Sequence, residues 1–483
     1  MINELKGNDL KVSDFIEYKD GTYIPATSRF EKRGIAINTP TWISEKCIEC
    51  NQCSMVCPHA VIRPYLLNEK EVANAPRHIR ERVKDYPGTE YKFYIGISDF
   101  DCTGCGSCAK TCPAKALEMK PFDHDDNEYS YLRTSVKEKT EQVKPTIKHS
   151  QFKTPLFEYS GACSGCGETP YLKLLTQLFG DKLMIANATG CTSIYGGSMP
   201  STPYNLPWAN SLFEDNAEFG FGMLVASNTM RSRVSELMEN SIELVDEETK
   251  ELYTKWLANK DDYNITKEVY DNLDYRKAPY LRDIKQYIPA RSIWSIGGDG
   301  WAYDIGFSGI DHVLASNENI NILVLDTEVY SNTGGQSSKA SEKGSLAKFA
   351  KDGKKTSKKD LARIAMAYKN AYVAQISLGA NMQQTINAMM EAEKHDGPSI
   401  IIAYSPCINH GIKGGLTNAI EEEKMAVRSG YFPIFRYNPA TKQFNLDYKE
   451  PDFEKYEAFL SNETRFSRSE HKELLAESKN EAI

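Results

Sequence analysis

Eight of the twelve cysteines fall into two groups of identical spacing. Cys47, Cys50, Cys53 and Cys57 run into Pro58, and Cys102, Cys105, Cys108 and Cys112 run into Pro113. This is the C-x2-C-x2-C-x3-C-P run of bacterial two-cluster iron–sulfur proteins. Three thiolates of one tight loop hold three corners of a cubane, and the fourth crosses to the other cluster. Cys47, Cys50, Cys53 and Cys112 are therefore assigned to one [4Fe–4S] cluster. Cys102, Cys105, Cys108 and Cys57 are assigned to a second. A pair of four-cysteine zinc sites is the weaker alternative, because zinc rarely takes four cysteines this close together before a proline.

A second chemistry is written in residues 291–332. Residues 292–296 are apolar and β-branched and end at Gly297 and Gly298, which predicts a buried strand and a tight turn. Asp299 lies between glycines, where the backbone can approach a ligand and a carboxylate can face a metal. Residues 302–315 predict a helix with Ile305, Phe307, Ile310 and Leu314 as its apolar positions. A diphosphate could rest at its positive end. A second strand, 320–325, delivers Asp326, Thr327, Glu328 and Asn332 at its carboxyl end, where open α/β sheets bind ligands. Mg2+ takes one or two carboxylates and completes its shell with phosphate and water. A lone Gly-Asp-Gly is weak evidence, but one followed about thirty residues later by an Asn-containing turn resembles the thiamine-diphosphate signature.

Four cysteines remain. Cys163 and Cys166 form a C-x2-C in a Gly-rich turn, and Cys191 and Cys407 each follow a predicted strand. Gathered at the strand-end face they would hold a third [4Fe–4S] cluster beside the diphosphate site. A four-cysteine zinc site and unrelated core thiols are the alternatives, since spacing alone does not decide iron against zinc. Thr189, Thr192, Ser193, Tyr195, Gly196 and Gly197 surround Cys191 and read as pocket lining. Glu168 reads equally as a cofactor contact or a helix cap. Residues 207–223, with Glu214, Asp215 and Glu218 among aromatics, read as a helix packed into a core. His59 and His410 show no ligand pairing and read as structural or solvated. The lysine-rich stretch 339–359 reads as a solvated loop, with a docking patch for an acidic partner as the lesser reading.

Several elements must position these groups. At 483 residues the chain is expected to hold more than one domain. The expected division is an irregular lead-in at 1–40, a two-cluster ferredoxin-like domain with an insertion at 41–120, a polar linker at 121–155, an α/β domain at 156–440 and a C-terminal extension at 441–483. Within the insertion, residues 76–88 predict a short helix between prolines. In the α/β part, helices are expected at 171–180, at 358–370 with Ser357 as N-cap, and at 382–397 ending on Gly397. Strands are expected at 183–185, 372–376 and 399–404. Repeated strand–helix–strand units imply a mostly parallel sheet covered on both faces, with 231–285 as a helical insertion. The net charge of −8 argues against general nucleic-acid binding. The first residues lack an apolar signal core, and no apolar run approaches the roughly 20 residues of a membrane helix, so a soluble cytoplasmic protein is expected. Twelve cysteines in such a chain favour metal ligation over disulfides.

Taken together, CIECNQCSMVCPHAVIRP, DCTGCGSCAKTCP, CSGCGETPY, GCTSIYGG, WANSLFEDNAEFGFG, GGDGWAYDIGF and DTEVYSNTGGQ resemble the C-terminal part of the pyruvate:ferredoxin (flavodoxin) oxidoreductase, or pyruvate synthase, family. The resemblance runs from about residue 10 to about 440. It implies thiamine-diphosphate-dependent oxidative decarboxylation of pyruvate in anaerobic metabolism, acetyl transfer to coenzyme A and reduction of ferredoxin or flavodoxin. It further implies Mg2+ on Asp299, Thr327 and the Val329 carbonyl. It places the diphosphate on Gly298, Asp299, Gly300 and Trp301 and on Thr327, Glu328, Val329, Tyr330, Ser331 and Asn332. Asn332 would also reach the substrate. Glu168 and Cys191 would contact the cofactor, and Cys163, Cys166, Cys191 and Cys407 would hold the proximal cluster. The family's pyrimidine-binding half has no counterpart here, so a fragment or one subunit of a split enzyme is expected, forming a homodimer when complete. An oxidoreductase for another 2-oxoacid, or an electron-transfer module without catalysis of its own, are the rival readings.

Overall fold

The computed structural model describes residues 5–481 apart from 20, 23, 123–126 and 198–200. The acidic start of the expected linker thus lies partly outside the described residues. The first domain is built from β1 (Asn38–Trp42), β2 (Ile62–Leu67), β3 (Lys84–Asp85), β4 (Lys92–Ile97) and β5 (Leu117–Pro121). β1 pairs antiparallel with β5, so the pseudo-symmetric cysteine loops are closed by the first and last strands. The insertion forms the sheet β2–β4–β3 and the expected short helix, Arg77–Arg82.

The stretch 121–155 is not a solvated linker. Tyr129 and Leu132 of its helix Asn127–Ser135 are buried in the ferredoxin-like core. The Gln151 amide accepts from the Ser54 hydroxyl at 2.9 Å. Its apolar residues pack inward while charged ones such as Lys139 and Arg133 are held in ion pairs with Glu71 and Glu158, a pattern that bulk composition conceals.

The second domain is an α/β unit around an eight-stranded sheet. Its strands are β6 (Leu183–Asn187), β7 (Trp208–Asn210), β8 (Ser292–Gly298), β9 (Asn321–Asp326), β12 (Tyr372–Ile376), β13 (Ser399–Tyr404), β14 (Phe435–Asn438) and β15 (Gln443–Leu446); β10 (Val329–Tyr330) and β11 (Gln336–Ser337) make a separate hairpin. The order β15–β14–β12–β13–β9–β8–β6–β7 is parallel from β12 to β7 and antiparallel at the β14–β15 edge. Ile322 and Val324 of β9 join one buried cluster while Leu323 and Leu325 join the other. Both faces are therefore covered, as a parallel sheet requires. The helices Asn216–Ser241, Glu247–Ala258 and Tyr263–Asn272 enclose a small core of their own around Trp256 and Tyr253. Among the described residues no helix is long and apolar enough to cross a membrane.

Four expected elements differ. The predicted helix 302–315 is two pieces, a wide π-type turn Gly300–Ile305 and an α-helix Phe307–Ala315. Gly306 separates them, and a Cβ there would collide with the Trp301 ring. Ile305 is exposed as a result. The helix Leu361–Ala367 is capped by Asp360, not Ser357, because the Asp360 carboxylate reaches the Arg363 N–H. The helix Met382–Lys394 ends before Gly397, and residues 207–223 hold β7 as well as the start of a helix.

Candidate functional site

Four neighbouring parallel strands deliver the chemistry at their carboxyl ends. β6 leads to Thr189, Gly190 and Cys191, β8 to Gly298 and Asp299, β9 to Asp326 and Thr327, and β13 to Cys407. Between them lies a cavity of about 480 Å3 lined by Glu168, Thr189, Gly190, Cys191, Thr192, Phe213, Gly298, Asp299, Gly300 and residues 329–333. Gly300 admits the neighbouring rings, since a Cβ there would meet Tyr330 at 2.6 Å and Phe213 at 3.2 Å.

Asp299 is buried at one wall. Its Oδ1 lies 2.9 Å from the Thr327 hydroxyl, which lies 3.1 Å from the Val329 carbonyl; its Oδ2 accepts from Ser338 at 2.6 Å. Burial, and then the Asp326 charge, push the Asp299 carboxyl well above the usual carboxylate range. The donor set fits Mg2+. Neighbouring oxygens on an octahedron of radius 2.0–2.1 Å stand about 3 Å apart, which is the spacing from Asp299 through Thr327 to Val329. A cation there would also compensate a buried carboxylate whose charge Lys358 offsets only in part.

Glu168 lies buried at the same cavity with Oε2 lacking a partner among the described residues, and burial raises its carboxyl to about 7 against the lowering influence of the nearby Tyr195 hydroxyl. A ligand donor at that wall would satisfy it. Cys191 lines the cavity, with its sulfur 3.3 Å from the Ser331 hydroxyl. Its thiol lies within electrostatic reach of Cys407 and Cys163, and Cys166 within reach of Cys191, so the last four cysteines share one neighbourhood. Gly167 packs onto Pro406, donating its N–H to the Pro406 carbonyl at 3.2 Å. Cys163 is the one exposed member.

The eight ferredoxin-like cysteines divide between two cavities. Cys47, Cys50, Cys53 and Cys112 line one cavity. Cys57, Cys102, Cys105 and Cys108 line another. Among the described residues, no three His, Cys, Asp or Glu side chains converge at the spacing of a single ion. Thiols arranged round a volume suit a cluster's corners better than one tetrahedral zinc.

Several sequence expectations need correction. Trp301, Thr327 and Glu328 do not line the cavity. Trp301 is buried against Gly297 and Gly306, and Thr327 acts from behind through Asp299. Glu328 adopts φ +58° and turns into the protein, where it pairs with Lys358 at 2.8 Å and Arg465 at 2.7 Å and accepts from Tyr431. Burial pushes its carboxyl up, but Lys358 and Arg465 pull it down to about 2. Ser193 and Tyr195 are buried in the helix Cys191–Gly196 and lie off the cavity.

Other residues escaped the sequence reading. Phe213 and Thr333 line the cavity. Lys358, placed in a loop read as solvated, is paired with Asp326 and Glu328. Arg465 and Glu463, from the C-terminal extension, are buried, and Arg465 pairs with Glu328 of the loop after β9. Glu463 lies 3.5 Å from His410, whose Nε2 is 2.7 Å from the Thr327 carbonyl. His410 is thus structural, as expected. No local signal marks the pairing of Lys358 or Arg465 with Glu328, or of Glu463 with His410, because these partners are distant in sequence.

Comparisons with known proteins bear on this arrangement. Residues 46–116 match the 4Fe-4S dicluster domain, and residues 282–403 match the thiamine pyrophosphate enzyme C-terminal TPP-binding domain. Residues 1–36 match a domain of unknown function called EKR. The chain is 48% identical over 502 aligned positions to the pyruvate:ferredoxin oxidoreductase of Moorella thermoacetica, covering 96% of this chain and 42% of that protein. It is 47% identical to the pyruvate-flavodoxin oxidoreductase of Klebsiella pneumoniae, with coverage of 96% and 42%. It is 45% identical to the mitochondrial pyruvate dehydrogenase [NADP(+)] of Euglena gracilis, with coverage of 92% and 26%. The chain therefore spans less than half the length of these curated relatives.

Proposed function

We propose, from the premise that this chain is the cluster-bearing and thiamine-binding portion of a pyruvate:ferredoxin or pyruvate-flavodoxin oxidoreductase, that it takes part in oxidative decarboxylation of pyruvate to acetyl-CoA and CO2. Electrons leave through three [4Fe–4S] clusters to ferredoxin or flavodoxin. The observation that carries this reading is the position of Cys191, which lines the Asp299 cavity and also belongs to the converging thiols. One residue thus joins a diphosphate pocket to an electron acceptor. A decarboxylase that simply released aldehyde would have no use for that junction.

Thiamine diphosphate, when bound, supplies the carbanion chemistry at the keto carbon. The chain's own residues bind and orient. Asp299, Thr327 and the Val329 carbonyl hold Mg2+; Gly298, Gly300 and residues 330–332 cradle the diphosphate, and Asn332 reaches toward the substrate. Glu168 offers a buried acceptor. Cys163, Cys166, Cys191 and Cys407 hold the proximal cluster. The Cys57 group is the middle station, because Ser164 of the proximal loop donates to the Thr103 carbonyl of the Cys102–Cys108 loop at 3.1 Å. The Cys47 group is the outer station. Pyruvate, coenzyme A, the pyrimidine-binding half and a second copy complete the working assembly, in the cytoplasm.

Anaerobic reconstitution of the chain tests this. About twelve irons per chain are expected from three cubanes. About eight would remove the proximal cluster. Asp299→Ala should abolish Mg2+-dependent binding of thiamine diphosphate and leave the iron content unchanged. Normal binding in that variant would overturn the metal assignment.

A further inference from the structure

The segment matched as a domain of unknown function carries the tripeptide Glu31–Lys32–Arg33. From it we infer that residues 26–38 form a positioning strap that fixes the middle-cluster loop against the proximal-cluster loop, with Lys32 and Arg33 as its two rivets. The strap deepens the three-cluster reading and rests on it for its electron-transfer meaning.

The strap is anchored first to the α/β domain. The Ala26 N–H donates to the Tyr204 carbonyl at 2.7 Å and the Ser28 N–H to the Thr202 carbonyl at 3.1 Å; the Thr202 N–H returns a bond to the Thr27 hydroxyl at 2.9 Å. The Thr202 hydroxyl in turn donates to the Gly196 carbonyl at 2.8 Å, at the end of the helix that Cys191 begins.

The backbone then changes hand. Glu31 is right-handed helical, while Lys32 has φ +46° and Gly34 φ +60°. Lys32 and Arg33 consequently take different main partners, with the Lys32 ammonium also 5.5 Å over the Tyr159 ring. The Lys32 ammonium donates to Asp101 at 2.6 Å and to the Ser98 hydroxyl at 3.2 Å. Asp101 directly precedes Cys102, and its carboxylate is only 3% exposed. Arg33 goes the other way, donating to the Ser160 carbonyl at 3.1 Å, three residues before Cys163, and it is held by an ion pair with Glu31. The Gly34 N–H donates to the Phe100 carbonyl at 2.8 Å. Ala36 and Asn38 then lie over Gly104, where a Cβ would meet them at 3.4 and 3.0 Å.

One short stretch therefore touches the residues just ahead of Cys102 and just ahead of Cys163. Electron tunnelling falls exponentially with the gap between clusters, so a part that fixes this gap controls the relay without ligating iron. Residues 26–38 bring no thiol and no group to the Asp299 cavity; Ser28, Glu31, Arg33 and Ile35 instead line a small cavity with Asp101, Cys102, Thr103 and Tyr159, where the two loops meet.

The test uses the full, anaerobically reconstituted chain carrying Lys32→Met together with Arg33→Met. Iron, sulfide and Mg2+-dependent thiamine-diphosphate binding should stay at the wild-type level. Amide hydrogen exchange in residues 98–105 and 159–166 should speed up by about tenfold, and the magnetic coupling between the reduced middle and proximal clusters should weaken. The conservative Lys32→Arg, with Arg33 intact, should restore both. Unchanged exchange and coupling in the double variant would overturn the strap, and so would wholesale loss of iron that Lys32→Arg does not repair. A wild type holding only about eight irons would overturn the proximal cluster instead, and the strap would then stand or fall on hydrogen exchange alone.

Discussion

Arg465→Met tests whether the C-terminal extension supports the metal loop. Arg465 is about 1% exposed and pairs with Glu328 at 2.7 Å and Glu463 at 2.5 Å, both as deeply buried. Methionine keeps the stem's packing and removes the charge. Glu328 retains Lys358 as a partner, but Glu463 is left with His410 alone among its named ionic partners. Removing one partner of a buried ion pair costs about 3–5 kcal/mol. Retention of Lys358 puts the expectation at the lower end, about 3 kcal/mol. Glu328 adjoins Thr327, and His410 touches the Thr327 carbonyl, so the strain falls on the oxygens proposed for Mg2+. Urea unfolding followed by tryptophan fluorescence should show the loss. Titration with thiamine diphosphate and Mg2+ should show weaker binding at unchanged iron content. Arg465→Met with Glu463→Gln, which removes the stranded charge, should recover a substantial part of the stability. A single variant within about 1 kcal/mol of wild type, or a double variant no better than the single, would refute the reasoning.

Two further outcomes follow from local geometry. Gly167→Ala places a Cβ 2.6 Å from the Pro406 backbone, so the Cys166 and Cys407 loops must part. Overpacking of this kind costs about 1–3 kcal/mol, and iron analysis should show loss of the proximal cluster while the ferredoxin-like iron stays. Glu423 is buried, and burial raises its carboxyl to about 8 despite the Gly379 N–H and Ser377 hydroxyl that donate to it. A raised folded value means that its contribution is fully present below the ordinary 4.5 and is lost as pH rises to about 8. Glu423→Gln should therefore flatten the fall of thermal stability between those limits, and an unaltered slope would count against it.

The site's local parts were legible in the sequence and its supports were not. The spacing of Cys47, Cys50, Cys53 and Cys57 declares a cluster loop because all the geometry lies within a dozen residues. The crossing of Cys57 and Cys112 follows from the same rule, and the cavities divide that way. The Gly298–Asp299–Gly300 turn and the strand end at Thr327 could be read from the sequence because turns after strands are local. Glu328 was misplaced because its left-handed backbone turns the side chain inward, which no residue pattern announces. Lys358 and Arg465 come from a lysine-rich loop and a polar tail, where composition points to solvent and only tertiary pairing reveals burial. The helix break at Gly306 likewise depends on where the Trp301 ring settles.

The short step from Cys407 to His410 has a wider consequence. Asn409 reaches both the Cys407 sulfur and the Ser331 carbonyl at 3.5 Å, while His410 reaches the Thr327 carbonyl at 2.7 Å. The proposed sulfur and oxygen ligands are thereby mounted on one bracket. On that proposal, air that strips inorganic sulfide from these thiols would slacken the proposed magnesium cradle in the same event, so redox damage and vitamin loss should travel together.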